Sequence, residues 1–151
     1  MILEIHPHSS EHSSCSSVSA ADIVARCAAR ELQGGVLTDH HYLWSPAQLD
    51  DLRAACAVPD HFVILSGQEV TTSDFGDVLV YGADRSLPPG TSLLQIRQWF
   101  PRAGLVLAHP YRNGNSPSDA ALGHVAVDAV EIFNANQRAS ENVRGLQDWH
   151  R

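Results

Sequence analysis

Lysine is absent: all ten basic residues of the 151-residue chain are arginine. Schiff-base chemistry and a Walker-type phosphate-binding lysine are therefore excluded. No glycine-rich phosphate loop occurs, nor any motif of a carboxylate-pair glycosidase. Cysteine is scarce and odd in number, at Cys15, Cys27 and Cys56, without framework spacing. That pattern predicts a reducing, cytoplasmic setting. No apolar run approaches the ~18 residues of a membrane span. Residues 1–15 are polar and rich in Ser and His, unlike a signal peptide. Positive charge is also short, with 10 Arg against 17 Asp and Glu, a net charge of −7 and a pI near 5.6. This balance argues against membrane surfaces and strong binding to duplex nucleic acid. A small phosphorylated substrate held by a few cations remains open.

What is present is an ordinary globular composition, 44% hydrophobic and 18% charged, long enough for one domain over residues 1–151. Apolar runs predict strands at 2–5, 36–38, 62–65 (running on to 69), 78–81, 105–108 and 127–133. Ser19 opens a helix over 20–33 that Gly34-Gly35 stops. Ser45-Pro46 starts a second, with Cys56 on its buried stripe. A third begins at Thr91 or Ser92 and ends before Pro101, and 139–151 reads as a fourth. Alternating strands and helices predict an α/β fold with a parallel sheet and helices outside.

Nine histidines are the compositional outlier. His6, His8, Asp39, His40, Glu69 and His109 all fall where a predicted strand gives way to a loop. In a parallel barrel such ends converge on one face. Imidazoles and carboxylates together suit zinc, manganese or iron. His6 and His8 are two apart in an extended segment, so both rings can reach one ion. Each motif alone also reads as a capped loop or a satisfied core histidine; their joint placement gives them weight. Arg112, three residues past His109, offers a planar guanidinium that can clamp a phosphate. His41 reads as a rim residue, His61 and His124 fall outside these motifs, and Cys27 reads as core.

In order, Glu4-Ile5-His6-Pro7-His8-Ser9, a Ser/Cys-rich loop, Thr38-Asp39-His40, Gly67-Gln68-Glu69-Val70, Ala108-His109-Pro110 and Val127-Asp128-Ala129-Val130-Glu131-Ile132-Phe133-Asn134 resemble the PHP superfamily, the polymerase and histidinol phosphatase family. The resemblance spans essentially the whole chain. It implies a distorted (β/α)7 barrel, a site for up to three divalent ions, and a phosphoesterase that attacks with a metal-activated water. His6 and His8 would hold the first ion, Glu69 would bridge two, His109 would bind the second and His40 the third. The loop after the first motif would add a ligand, for which Cys15 is preferred and His12 competes. Asp39 would orient His40 or the substrate. The implied partner is a small phosphorylated substrate or a nucleotide.

The family also has a later strand ending in Asp-x-His, and the chain stops before such a strand. Asp148-Trp149-His150 has the right letters but sits in a predicted helix, where residues two apart point about 200° apart. A closed barrel takes more than about 200 residues. The expectation is thus an incomplete PHP-type barrel, C-terminally truncated, that lacks its last strands, with two outcomes open for the chain: a homodimer through its open sheet edge, or incomplete folding. A truncated product, a reduced active form and a degenerate relative all fit the sequence. Two other functions stay open: an inactive metal-binding or interaction domain that has lost the terminal ligands, and an amidohydrolase-like metal hydrolase, which also begins with His-x-His.

Overall fold

Serine residues set where the helices begin. In the computed structural model, which describes residues 1–124 and 126–149, Ser19 accepts the Asp22 N–H and opens α1, Ala20–Ala29. Ser45 and Ser92 each form a capping box, with Gln48 and Gln95, and open α2, Pro46–Cys56, and α3, Leu93–Trp99. The strands are β1 (Gly34–Leu37), β2 (Val63–Thr72), β3 (Gly76–Tyr81), β4 (Gly104–Leu107) and β5 (Ala129–Val130). A short helix, α4 (Asp119–Leu122), precedes β5, and α5 (Ala139–Trp149) follows it.

The barrel expectation fails. The strands form an open five-stranded sheet in the order β1-β2-β3-β4-β5. β1 pairs with β2 and β4 with β5 in parallel, but β3 and β4 run antiparallel. The cause is local. Only Ser73, Asp74 and Phe75 separate β2 from β3, so the chain reverses in a hairpin where a parallel crossover needs a dozen or more residues. Thr72 Oγ donates to the Gly76 carbonyl at 2.7 Å, and Thr71 Oγ to Asp77 Oδ1 at 2.7 Å, which fastens that turn. The strand expected over 127–133 is only two residues long.

The chain divides into two compact units, residues 1–69 with 83–88, and residues 70–82 with 89–151. In the first, α1 and α2 pack Ala20, Ile23, Val24, Cys27 and Leu52 against Leu37 and Ile64 of the strands and Phe62 just before β2. Cys27 is core, as its helix position implied; burial and then the Glu4 carboxylate push its thiol above the ordinary range. β1 must approach β2 closely, since a Cβ on Gly34 would lie 2.1 Å from the Val63 carbonyl oxygen.

The segment expected as a first strand makes one parallel bridge, Glu4 to Gly35. Its hydrogen bonds to β1 nonetheless continue: Val36 N–H donates to Glu4 O at 2.8 Å and Thr38 N–H to Pro7 O at 3.0 Å. Two steps along β1 thus answer three steps along the N-terminal segment. The extra residue makes a bulge at Ile5-His6, whose N–H groups both donate to the Glu4 carboxylate, at 3.1 and 3.2 Å. A bulge re-aims the side chains beside it, and His6 and His8 are the side chains in question.

In the second unit Leu79, Val80, Ile96 and Leu105 are fully buried. Arg97 of α3 donates to the carbonyls of Ala103 and Ala126 and to the Asp128 carboxylate, at 2.7, 2.8 and 2.6 Å. The Leu105 N–H, then Arg97, hold the Asp128 carboxyl below its usual range. A depressed carboxyl stabilises the fold above its unfolded pKa and loses that contribution as pH falls through the folded one, so this clamp works at neutral pH and fails in acid.

Candidate metal centre

The first unit carries a converging set of metal-type donors. The bulge, with a bend at His6, and the fixed φ of Pro7 set the directions of His6 and His8. β1 runs on into Thr38-Asp39-His40, and β2 carries Glu69 alongside, joined by a parallel bridge between His40 and Glu69. The Glu69 N–H donates to the Asp39 carbonyl at 3.2 Å, and the His41 N–H to the Glu69 carbonyl at 2.9 Å. His6 Nε2, His8 Nε2 and His40 Nδ1 then stand 3.4, 3.0 and 3.3 Å from a single carboxylate oxygen, Glu69 Oε2. Glu69 is 1% exposed. The rings of His8 and His40 stack with centroids 4.5 Å apart.

Two groups of donor atoms in this unit each lie within 4.8 Å of one another: His6, His8 and Glu69, and His8, Cys15 and His40. The chemistry of the set fits a divalent ion. A carboxylate oxygen has about two lone-pair sites, yet three imidazole nitrogens crowd this one. Neutral imidazoles presenting bare nitrogens beside a buried carboxylate repel it, whereas a shared cation attracts all four groups. Imidazole, carboxylate and thiol groups together are donors that a divalent metal ion can take. Cys15 is exposed and Cys56 half-buried.

Asp39 sits behind these donors. It is completely buried, and four donors occupy its oxygens: the Ser9 N–H (2.6 Å) and Ser13 Oγ (2.6 Å) on Oδ1, and Ser9 Oγ (2.7 Å) and Trp44 Nε1 (2.8 Å) on Oδ2. The carboxylate ties the loop after His8 to the strand end that carries His40. His12 lies on that loop with its ring stacked on Tyr42, centroids 3.5 Å apart, and edge-on to Trp44 at 4.9 Å. It belongs to neither donor group; Cys15 belongs to one. Sequence reasoning did not find Ser9, Ser13 or Trp44. Nothing in a serine-rich loop says which hydroxyl meets a buried carboxylate.

In the second unit His109 is buried, with the uncommon backbone φ of 28°. Its N–H donates to Glu131 Oε2 at 2.7 Å, and its Nε2 lies 3.9 Å from Asp77 Oδ2. Asp77 was also missed, although an aspartate inside a strand-forming run is unusual enough to mark. Arg112 is exposed, with Nη1 3.5 Å from His109 Nε2. A cleft of about 590 Å³ lies here, lined by Phe75, Asp77, His109, Pro110, Ser118 and His124 among others. His41 has φ 56° and its Nδ1 lies 3.2 Å from the Leu87 carbonyl, in the first unit. In the Asp148-Trp149-His150 triplet, Asp148 accepts the Tyr111 hydroxyl and His150 lies outside the described residues.

Two solved structures resemble the chain. One is a "putative metal-dependent phosphoesterase" from Bifidobacterium adolescentis ATCC 15703, at 14% identity and a TM-score of 0.62, over 96% of this chain and 82% of that one. The other is PsfC from Pseudomonas syringae PB-5123, at 18% identity and a TM-score of 0.59, over 99% of this chain and 71% of that one. At these identities the likeness is one of fold. No protein-family model matches the chain, and no curated protein does. Among the described residues, no helix is long and apolar enough to cross a membrane.

Proposed function

We propose that the chain is a metal-dependent phosphoesterase of the PHP kind, hydrolysing a small phosphate ester. One observation carries the reading: three imidazole nitrogens converge on one oxygen of the buried Glu69, with the Cys15 thiol within reach of His8 and His40. The order of motifs in the sequence supports it, and so does the fold shared with a protein described as a phosphoesterase.

His6 and His8 would hold one ion with Glu69, and His40 with Cys15 a neighbouring one; the ions' identity is zinc, manganese or iron. Bound there, divalent ions supply a water of lowered pKa and positive charge for phosphoryl oxygens. The protein's own part is positional. Glu69 brings negative charge to the point where the imidazoles meet, and its burial keeps bulk water from screening that charge. Asp39 holds the His8–Cys15 loop and the His40 strand end at fixed separation. No protein nucleophile is needed. The reading rests on the first unit; His109 enters it only as the resemblance implies, as a ligand, and Arg112 only by its guanidinium chemistry, as a phosphate clamp.

Hydrolysis of p-nitrophenyl phosphate by chelator-treated protein tests this. The expected result is slow turnover restored by Mn²⁺ or Zn²⁺ and absent without them. Metal uptake without turnover of any phosphomonoester or nucleotide would instead favour a metal-binding domain without catalysis.

A further inference from the structure

Ser13 is completely enclosed, 2% exposed, and its single hydroxyl touches three parts of the candidate centre. Oγ lies 2.6 Å from Asp39 Oδ1, 3.1 Å from the backbone nitrogen of His40 and 3.4 Å from His8 Nδ1. A serine has one proton to give and two lone pairs to receive with. The serine proton goes to Asp39 Oδ1, whose carboxylate group accepts three other donors besides. The His40 N–H can only donate, so it occupies one lone pair of Oγ. One lone pair is left, and it faces His8 Nδ1.

From this count we infer that Ser13 is a positioning residue: it holds the proton of His8 on Nδ1, turns the bare Nε2 toward Glu69, and fixes His40 at the same point. The inference rests on the metal-centre reading and extends it to a residue outside the donor set. An imidazole that donates from one nitrogen presents a more basic lone pair at the other, and keeps one ring orientation. His8 Nε2 is the nitrogen that lies 3.0 Å from Glu69 Oε2, so it is the one on the side of the donor set.

The loop is built to keep Ser13 in place. Its N–H donates to the Ser9 carbonyl at 3.0 Å, and its carbonyl accepts the Ser16 N–H at 3.0 Å. Glu11, two residues before, caps α1 by accepting the Ala20 N–H at 3.0 and 3.1 Å. His12, the residue before, is pinned by Tyr42 and Trp44, and Trp44 shares Asp39 with Ser13. His12 thus serves as a ring clamp on this loop, and a phenyl ring can fill that role.

Two measurements on the whole chain test the inference, Co²⁺ titration followed by visible absorption, and ¹⁵N spectra of the Zn²⁺-loaded protein with histidine labelled. Ser13→Ala is expected to weaken Co²⁺ binding about 10- to 100-fold, with Ser13→Thr recovering most of the loss. The parent's His8 signals, assigned by their loss in His8→Gln, are expected to show a protonated Nδ1 and a metal-bound Nε2. This readout stands even if Ser13→Ala does not fold. Zinc on His8 Nδ1, or parent-like affinity in Ser13→Ala, overturns the inference and leaves the metal centre standing. A parent protein that takes up neither ion overturns both.

Discussion

Asp39→Ala is expected to destabilise the protein by about 3 kcal/mol or more, lowering Tm by roughly 6–12 °C for a chain of this size. The carboxylate is wholly buried and receives the Ser9 N–H, two serine hydroxyls and the Trp44 indole N–H. Truncation leaves all four without an acceptor, and each buried unsatisfied donor costs about 1–3 kcal/mol. Water entering the vacated space, and rotation of the two hydroxyls, return part of this sum. Asp39→Asn separates charge from shape. The amide keeps the volume but turns an NH₂ toward one pair of donors, so a loss approaching that of alanine is expected. Urea unfolding of the three proteins reads the effect. A loss below about 0.5 kcal/mol for Asp39→Ala would place Asp39 in the ordinary range of surface substitutions, against the role described.

Glu69→Gln is expected to abolish metal-dependent hydrolysis, by about a hundredfold or more, while the protein stays folded. The backbone of Glu69 is fixed by its own bonds to Asp39 and His41, which the substitution does not touch. What changes is the oxygen at which His6, His8 and His40 meet. A neutral amide has one acceptor atom and no charge, so it gathers cations poorly. A binding measurement accompanies the rate. An ion at a hundred times its Kd stabilises a protein by about 2.7 kcal/mol. The parent's Tm is therefore expected to climb with added Zn²⁺ or Mn²⁺, and the variant's to climb clearly less, since the His8, Cys15 and His40 group does not include Glu69. Full hydrolysis by Glu69→Gln would mean that the activity arises elsewhere.

Most helices were legible in the sequence because their starts are written in local chemistry. Ser19, Ser45-Pro46 and Ser92 cap where the sequence implies. The expected helix over 20–33 stops at Ala29, four residues before its predicted end. The sheet was less legible. Apolar runs locate strands but carry no direction, and the β2–β3 reversal depends on a three-residue turn whose threonines bond across it. The bulge at Ile5-His6 was invisible too, because it is a mismatch in register between segments about thirty residues apart. At the site, histidines and Glu69 stood out by residue type and by their place at strand ends. Ser9, Ser13 and Trp44 did not, since a serine acquires its role only from the carboxylate that folding brings to it.

The central claim is that the donors of the first unit form a divalent-metal centre. Metal content per chain, measured by elemental analysis after loading with Zn²⁺ and gel filtration, tests it most directly in the parent and in the His6→Ala/His8→Ala variant. The account predicts one or two tightly held ions in the parent and a clear loss in the folded variant. Equal metal content in the two proteins would contradict it.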